Sequence, residues 1–167
     1  MATNFSKKDM IKLQNLLRKS KKTITTAESC TGGLVASMIT KISGSSDIFN
    51  GSIVTYSNSI KNKELGVLNE SLDKFGAVSK QVVSEMLDGV LKKFEADFAI
   101  AISGVAGPNG GTKNKPVGTI VIGIASNKKI KKIKTYHLKG SRISIQKQSA
   151  NIALSKILKF VSKTIDN

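Results

Sequence analysis

The pattern of apolar and polar positions alternates between helix-like and strand-like stretches. Apolar residues recur every three or four positions in some segments, which is typical of helices packed on one face, and form short β-branched or continuous runs in others. The predicted helices are one after Ser6 that carries residues 10–17, one over 33–42, a short one near 61–65, one after Ser79 that carries residues 82–94, and one over 143–165. The predicted strands cover residues 23–27, 51–56, 97–103, 119–125 and a segment that ends near Leu138.

The interleaving of strands and helices predicts an α/β fold, a three-layer α/β/α sandwich in a single domain over residues 1–167. The strand at 97–103 is apolar throughout, as in strands buried on both faces. A turn at Asn127-Lys128 joins the last two strands into a hairpin, so we expect a mixed, mostly parallel sheet. The lysine-rich stretch over 128–134 reads as a solvated edge strand, because lysine blocks edge pairing.

Charge and composition narrow the classes of function. The formal net charge is +16, yet only Arg18 and Arg142 among the 27 basic residues are arginine. Specific nucleic-acid recognition favours arginine, so we expect no primary role in nucleic-acid binding. The scattered lysine reflects a compositional bias of the coding sequence as readily as a binding surface, and attraction of small anionic substrates is a simpler role for the charge. No apolar run is long enough to span a bilayer, and the N-terminus lacks the apolar core of a signal peptide. A single cysteine, Cys30, forms no internal disulfide, and a cytoplasmic protein is expected.

The segment from Thr25 to Gly33, TTAESCTGG, places a serine where a predicted strand gives way to a predicted helix. One interpretation makes Ser29 a helix N-cap, because serine side chains accept hydrogen bonds from the first N–H groups of helices. The other makes it a nucleophile, held on a sharp turn beside N–H groups that the helix start leaves unpaired. Taken alone, the segment favours the cap.

Two further segments change that balance. The loop over residues 104–118 contains the glycines of SGVAGPNGG, which either bring backbone N–H groups close to a ligand or only satisfy turns with positive φ. In VTYSNSIK, Tyr56 ends a strand and Lys61 follows five residues later. These two are either reactive groups or an amphipathic strand end and a solvated lysine.

Cys30 and His137 form the competing nucleophile pair. Cys30 adjoins Ser29, but the histidine lies far along the sequence, and a small buried side chain is the favoured interpretation of the cysteine. One histidine and one cysteine make no recognisable metal site, so no metal or other cofactor is expected.

Taken in order, TTAESCTGG, GSSDIFNGSIVTYSNSIK, GAVS at 76–79 and SGVAGPNGGTKNKPVGT closely resemble the CinA C-terminal domain family. The resemblance runs from about Thr23 to Ala125, with a weaker extension through Gly140 and Arg142. Enzymatic members of this family are nicotinamide-nucleotide amidohydrolases, which deamidate nicotinamide mononucleotide. Larger members carry an additional N-terminal domain, for which a chain of 167 residues has no room, so the resemblance implies the stand-alone deamidase form. It also implies a homodimer or larger homo-oligomer.

The resemblance places the family's serine nucleophile on Ser29 and its tyrosine and lysine on Tyr56 and Lys61. Because a primary carboxamide is a poor electrophile, hydrolysis through an acyl-enzyme splits one difficult step into two. A neutral lysine accepts the serine proton if burial or positive neighbours lower its pKa from about 10.4. Tyr56 would relay a proton, orient the lysine or protonate the departing ammonia.

The expected substrate contacts surround these three residues. The oxyanion hole would consist of backbone N–H groups of Cys30, Thr31 and Gly32. Part of the nucleotide would lie against the glycine loop, at Gly104, Ala106, Gly107, Gly110 and Gly111. Arg142 would bind the phosphate through a bidentate contact. Glu28, next to the serine, either orients the substrate or caps the following helix.

The chain departs from the family at one stretch, where the family commonly has Gly-Asp-Arg followed by another arginine. Here the sequence reads Gly140-Ser141-Arg142 and then Gln146-Lys147. Phosphate recognition or a subunit contact depends on this stretch. The intact serine, tyrosine and lysine favour a deamidase over a non-catalytic binding or regulatory module of the competence- or damage-inducible type. Scattered lysine without interleaved aromatic residues disfavours a nucleic-acid binder.

Overall fold

A computed structural model describes residues 4–165 as a five-stranded sheet covered by helices on both faces. The strands are β1 (Ile24–Glu28), β2 (Phe49–Val54), β3 (Phe98–Gly104), β4 (Thr119–Ser126) and β5 (Lys131–His137). The helices are α1 (Lys7–Lys19), α2 (Leu34–Thr40), α3 (Asn58–Leu65), α4 (Asn69–Phe75), α5 (Lys80–Phe94) and α6 (Arg142–Ile165), with a single 3-10 turn at Ser45–Asp47.

The strand order is β2-β1-β3-β4-β5, and the sheet is mixed as expected. Strand β1 pairs in parallel with β2 and β3, whereas β4 is antiparallel to both β3 and β5, so four strands share one direction. The lysine-rich β5 lies at the sheet edge, which confirms the prediction from its composition. Because Glu28 pairs with both Val54 and Ile102, the carboxyl ends of β1, β2 and β3 lie side by side.

The two faces of the sheet carry side chains of different size. Isoleucines and Phe98 of the central strands point towards α1, α2 and α6, whereas alanines of β1 and β3 point towards α5. Gly123 in β4 belongs to the small face, where an added Cβ would lie only 2.7 Å from Val83 of α5. Small residues therefore allow α5 to approach the sheet closely, and both layers of helices bury an apolar core.

The helix boundaries follow the sequence pattern with one omission. Ser6 and Ser79 cap α1 and α5 as predicted, since their hydroxyls accept from the N–H groups of Asp9 and Val82. Helix α4 was not expected, because it has seven residues and buries too few of them to show periodicity. Within residues 4–165, no helix is both long and apolar enough to cross a membrane.

Candidate active site

A cleft of about 250 Å³ opens where β1, β2 and β3 end. Ligands commonly bind outside the carboxyl ends of strands in α/β sheets, and this cleft brings together the three segments singled out in the sequence. Its lining consists of Ser29, Cys30, Tyr56, Asn58, Lys61, Ala77, Val78, Ser103, Gly104, Val105, Ala106, Gly107, Asn109, Gly110 and Arg142.

Lys61 lies beneath Ser29 although the two residues are 32 positions apart. Its Nζ is 3.1 Å from Ser29 Oγ and donates to the Thr55 carbonyl at 2.8 Å. Helix α3 sets this position: Ser57 caps its start, and Lys61 and Leu65, four residues apart, form its buried face. The lysine side chain is only 1% exposed.

Burial shifts the protonation equilibrium of this lysine towards the neutral amine. Removal of the ammonium from water lowers the pKa of Lys61 below its usual range. A negative charge on Cys30 would oppose this, but burial raises the pKa of the Cys30 thiol to about 12, so the thiol is neutral near pH 7. Two backbone carbonyls, of Thr55 and Tyr56, accept from Nζ, which leaves the nitrogen lone pair of a neutral amine for the Ser29 hydroxyl proton. The arrangement suits a lysine base.

Ser29 lies on a turn between β1 and α2 and is not the N-cap of that helix. Helix α2 begins at Leu34 after Gly33, and its N-cap residue makes no side-chain hydrogen bond. Glu28 satisfies the helix start instead: its carboxylate accepts from the N–H groups of Val35 at 3.0 Å and Ala36 at 2.9 Å. The N–H groups expected to be unpaired at this helix start are therefore occupied.

Glu28 is completely buried and also accepts from the hydroxyls of Thr31 at 2.7 Å and Thr26 at 3.2 Å. It does not line the cleft. The sequence left two roles open for Glu28, and these hydrogen bonds assign it the capping of α2. The turn that carries Ser29 is held on its other side by β3, because the Ser29 N–H donates to the Ile102 carbonyl.

We expect Glu28→Gln to lower the free energy of unfolding by about 2 kcal/mol, because an amide NH₂ would face donors that a carboxylate oxygen now accepts. Urea unfolding with an unchanged m-value checks this. The matched control is Asp73→Asn, an exposed carboxylate in α4, which should change stability by less than about 0.5 kcal/mol. Equal stability of the two variants would contradict the capping role.

The N–H groups proposed for the oxyanion hole are unequal. The Gly32 N–H donates to the Ser29 carbonyl and is committed to the turn. The Thr31 N–H meets no protein acceptor within residues 4–165, but Thr31 and Gly32 do not line the cleft. Cys30 does line it, and across the cleft the N–H groups of Ala106 and Gly107 have no acceptor in the described part of the chain.

Tyr56 contributes its backbone to the lysine and its side chain to an arginine. Its carbonyl lies 3.5 Å from Lys61 Nζ, whereas its hydroxyl, on a 60% exposed side chain, accepts from Arg142 at 2.7 Å. Arg142 also donates to the Gly107 carbonyl at 2.7 Å, and Gly107 has a φ of +81° that favours glycine. Arg142 therefore joins the tyrosine to the glycine loop at the rim of the cleft.

Gln146 lies one turn after Arg142 in α6, and the sequence analysis noted it only as a departure from the family pattern. In the structure it contacts the turn that carries Ser29. Its Nε2 donates to the Cys30 carbonyl at 2.8 Å. A hydrogen bond to this carbonyl polarises the Cys30–Thr31 peptide and holds the serine turn against α6. The sequence carried no signal for this contact, since 116 positions separate the two residues.

Most of the predicted site residues meet in the cleft and some do not. Glu28, Thr31, Gly32 and Gly111 lie outside its lining. His137 is exposed at the end of β5 and does not reach the cleft, so no Cys–His pair forms. Polar groups that sequence reasoning missed are Asn58, Ser103 and Asn109, all inside motifs noted for their neighbours. Within residues 4–165, no three side chains of His, Cys, Asp or Glu come together as metal ligands.

A family model and two similar curated proteins point to the same family. Residues 7–161 match the CinA C-terminal domain. A CinA-like protein of Endomicrobium trichonymphae is 52% identical over 83% of this chain and 32% of its own length. A CinA-like protein of Prochlorococcus marinus (strain MIT 9312) is 54% identical over 84% of this chain and 34% of its own length. The chain thus spans about a third of the length of these curated relatives.

Solved structures share the fold over nearly the whole chain. A CinA superfamily protein from Klebsiella pneumoniae superimposes with a TM-score of 0.89 at 29% identity, over 93% of this chain and 97% of that one. The competence/damage inducible protein CihA from Agrobacterium tumefaciens has a TM-score of 0.84 at 35% identity, over 90% of this chain and 94% of that one.

Proposed function

Because the chain belongs to the CinA C-terminal domain family, we propose that it is a serine–lysine amidohydrolase that converts nicotinamide mononucleotide to nicotinate mononucleotide and ammonia. The observation that carries the proposal is the 3.1 Å contact between Lys61 Nζ and Ser29 Oγ, with the lysine buried and its pKa lowered. Burial favours the neutral amine of this lysine over the ammonium, and the neutral amine is the form that can accept the serine proton.

The geometry supports a two-step hydrolysis. Neutral Lys61 takes the Ser29 proton as Oγ attacks the carboxamide carbon, which gives a tetrahedral intermediate. The lysine then returns the proton to the amide nitrogen, the C–N bond breaks, and ammonia leaves an acyl-enzyme. Water attacks this ester while Lys61 accepts a proton from the water, and collapse of the second intermediate frees the acid and restores the serine.

Charge in the intermediates falls on the former carbonyl oxygen. N–H groups of the glycine loop are the available donors, because those of Ala106 and Gly107 have no acceptor among the described residues. One such donor typically contributes about 3 kcal/mol to the transition state. Gln146 holds the turn that carries Ser29 and Cys30 against α6 through its bond to the Cys30 carbonyl.

The proposal is tested by the release of ammonia from nicotinamide mononucleotide, with a chelator present. Turnover with formation of nicotinate mononucleotide, and its loss in folded variants of the serine and the lysine, supports metal-free amidohydrolysis. A folded wild-type protein without turnover at millimolar substrate contradicts the assignment, and binding of the mononucleotide by calorimetry would then favour the binding or regulatory module.

For Arg142→Ala we expect a rise in KM for the mononucleotide of roughly 10- to 100-fold and a smaller change in kcat, because a charged hydrogen bond to phosphate contributes about 1.5–3 kcal/mol. Arg142 lines the cleft at the rim and offers a cation to a phosphate there. The control is nicotinamide riboside, which lacks the phosphate: its kcat/KM should be nearly equal in both proteins. A loss confined to kcat would oppose a phosphate contact.

A further inference from the structure

A groove of about 320 Å³ lies between β5 and α6, away from the proposed active site. We propose that this groove, called here the lysine groove, binds single-stranded nucleic acid without sequence preference. Its lining consists of Ile122, Ile124, Lys132, Ile133, Lys134, Tyr136, Lys156, Lys159, Phe160 and Lys163.

The charge of the lysine groove is one-sided. Five of its lining residues are lysines, and none of the described lining residues is acidic. Within residues 4–165, no ion pair joins Lys132, Lys134, Lys156 or Lys159 to a carboxylate. On the opposite face of the same strand, Lys131 pairs with Asp88 at 2.6 Å. The positive charge of these four lysines is therefore left for an anionic ligand.

The lysines form two rows along the groove. Lys132 and Lys134 alternate on β5 and point to the same face, and Lys156, Lys159 and Lys163 follow the helical repeat on one side of α6. Two rows of cations on either side of a trough suit a chain with regularly repeated negative charge. A single small anion would use only one or two of them.

The floor between the rows is apolar and aromatic. Ile122 and Ile124 of β4 lie at the bottom, and the half-buried ring of Tyr136 faces the groove. Lys134 Nζ lies 5.4 Å from the centre of the Tyr136 ring and Lys132 Nζ lies 5.7 Å from that of Phe160, so cation and ring occur together. A basic groove with aromatic surface is the combination that single-strand binding proteins use.

The ligand class follows from what the groove lacks. Its lining within residues 4–165 contains no arginine, asparagine or glutamine to read the edges of bases, so binding depends on phosphate charge and on the apolar floor. The sequence did not show this surface, because lysines 20 or more positions apart converge only when β5 and α6 pack together.

The lysine groove is independent of the amidohydrolase site. Lys156 lies 14 residues after Arg142 in α6, which is about 21 Å along the helix at 1.5 Å per residue. None of the groove residues lines the catalytic cleft. Failure of one proposal therefore leaves the other intact.

The test uses the whole chain, a fluorescein-labelled 20-mer of deoxythymidine, and fluorescence anisotropy between 50 and 200 mM salt. One variant replaces Lys132, Lys134, Lys156 and Lys159 with glutamine. The matched control replaces four exposed lysines outside the groove, Lys7, Lys8, Lys63 and Lys80, and so has the same net charge. We expect the groove variant to bind the oligonucleotide at least 10-fold more weakly than the wild type. The slope of log affinity against log salt concentration should become shallower by about 3, because each of the four lost phosphate contacts contributes about 0.7.

The control variant should stay within about 3-fold of the wild type, as expected when distant charges are screened. Both variants should keep the ammonia-releasing activity of the wild type. Absence of binding at 50 mM salt, an equal loss of affinity in the two variants, or equal affinity for the corresponding duplex or for inorganic polyphosphate would overturn the proposal. Equal loss would assign the binding to net charge.

Discussion

Replacement of Ser29 by alanine is expected to lower kcat for ammonia release from nicotinamide mononucleotide by about 10⁴-fold or more, because no other group can form the acyl-enzyme. Cys30 does not substitute for it: its thiol is buried, and its pKa of about 12 leaves almost no thiolate near pH 7. The affinity for the mononucleotide should change little, since the side chain lost is small. Rapid-quench or steady-state assays of ammonia, with calorimetric Kd, measure both quantities.

The control for this variant is Ser103→Ala in the same cleft. Ser103 is buried, and its hydroxyl donates to the Ala77 carbonyl at 2.8 Å, with no contact to the lysine. We expect it to change kcat by less than about 10-fold, as for the loss of one ordinary hydrogen bond. Circular dichroism and urea unfolding establish that both variants fold. Residual turnover of Ser29→Ala close to that of Ser103→Ala would exclude the serine as the nucleophile.

The second large effect is expected at Lys61. Replacement by methionine, which is similar in length and apolar, should lower kcat/KM by roughly 10²- to 10⁴-fold, the contribution typical of a general base. Lys61→Arg is the sharper comparison: arginine keeps a long basic side chain but stays protonated, so it cannot accept the serine proton. The two substitutions should therefore lower kcat/KM by a similar factor. Substantial activity in Lys61→Arg would contradict the role of base and support one of charge.

The pH dependence of the wild type follows from the same lysine. Its lowered pKa means that the amine is neutral above that value and protonated below it, so kcat/KM should fall by one power of ten per pH unit below it. The stability of the fold should also increase with pH. Between the lowered pKa and about 10.4, the unfolded chain binds more protons at this residue than the folded one, so the free energy of unfolding rises with pH.

Lys61→Met separates this contribution from other titrations. The variant lacks the amine, so the difference in free energy of unfolding between wild type and variant should change with pH over that window and level off above it. Urea unfolding at several pH values measures the difference. A difference that is independent of pH would show that the lysine titrates normally, and the proposed proton acceptor would then lack its physical basis.

The elements of the fold followed from the sequence because they depend on local patterns. Periodicities of 3.6 and 2 residues, serine caps before α1 and α5, and the apolar run of β3 each reflect interactions within a few positions. The hairpin turn after β4 and the lysines of β5 gave the mixed sheet and its edge. Helix α4 was missed because its seven residues bury too little to leave a periodic signal.

The sequence predicted part of the candidate site, because its residues lie in three motifs at the ends of strands. Parallel strands end at the same edge of the sheet, which brings these motifs together. Their chemistry depended on tertiary structure. The lowered pKa of Lys61 requires burial beneath Ser29, which packing of α3 creates. Likewise, Glu28 as a cap, Gln146 on the Cys30 carbonyl and the two lysine rows of β5 and α6 are contacts between distant positions. Composition and spacing record which residues are present, whereas distance, burial and charge clustering arise only when the layers pack.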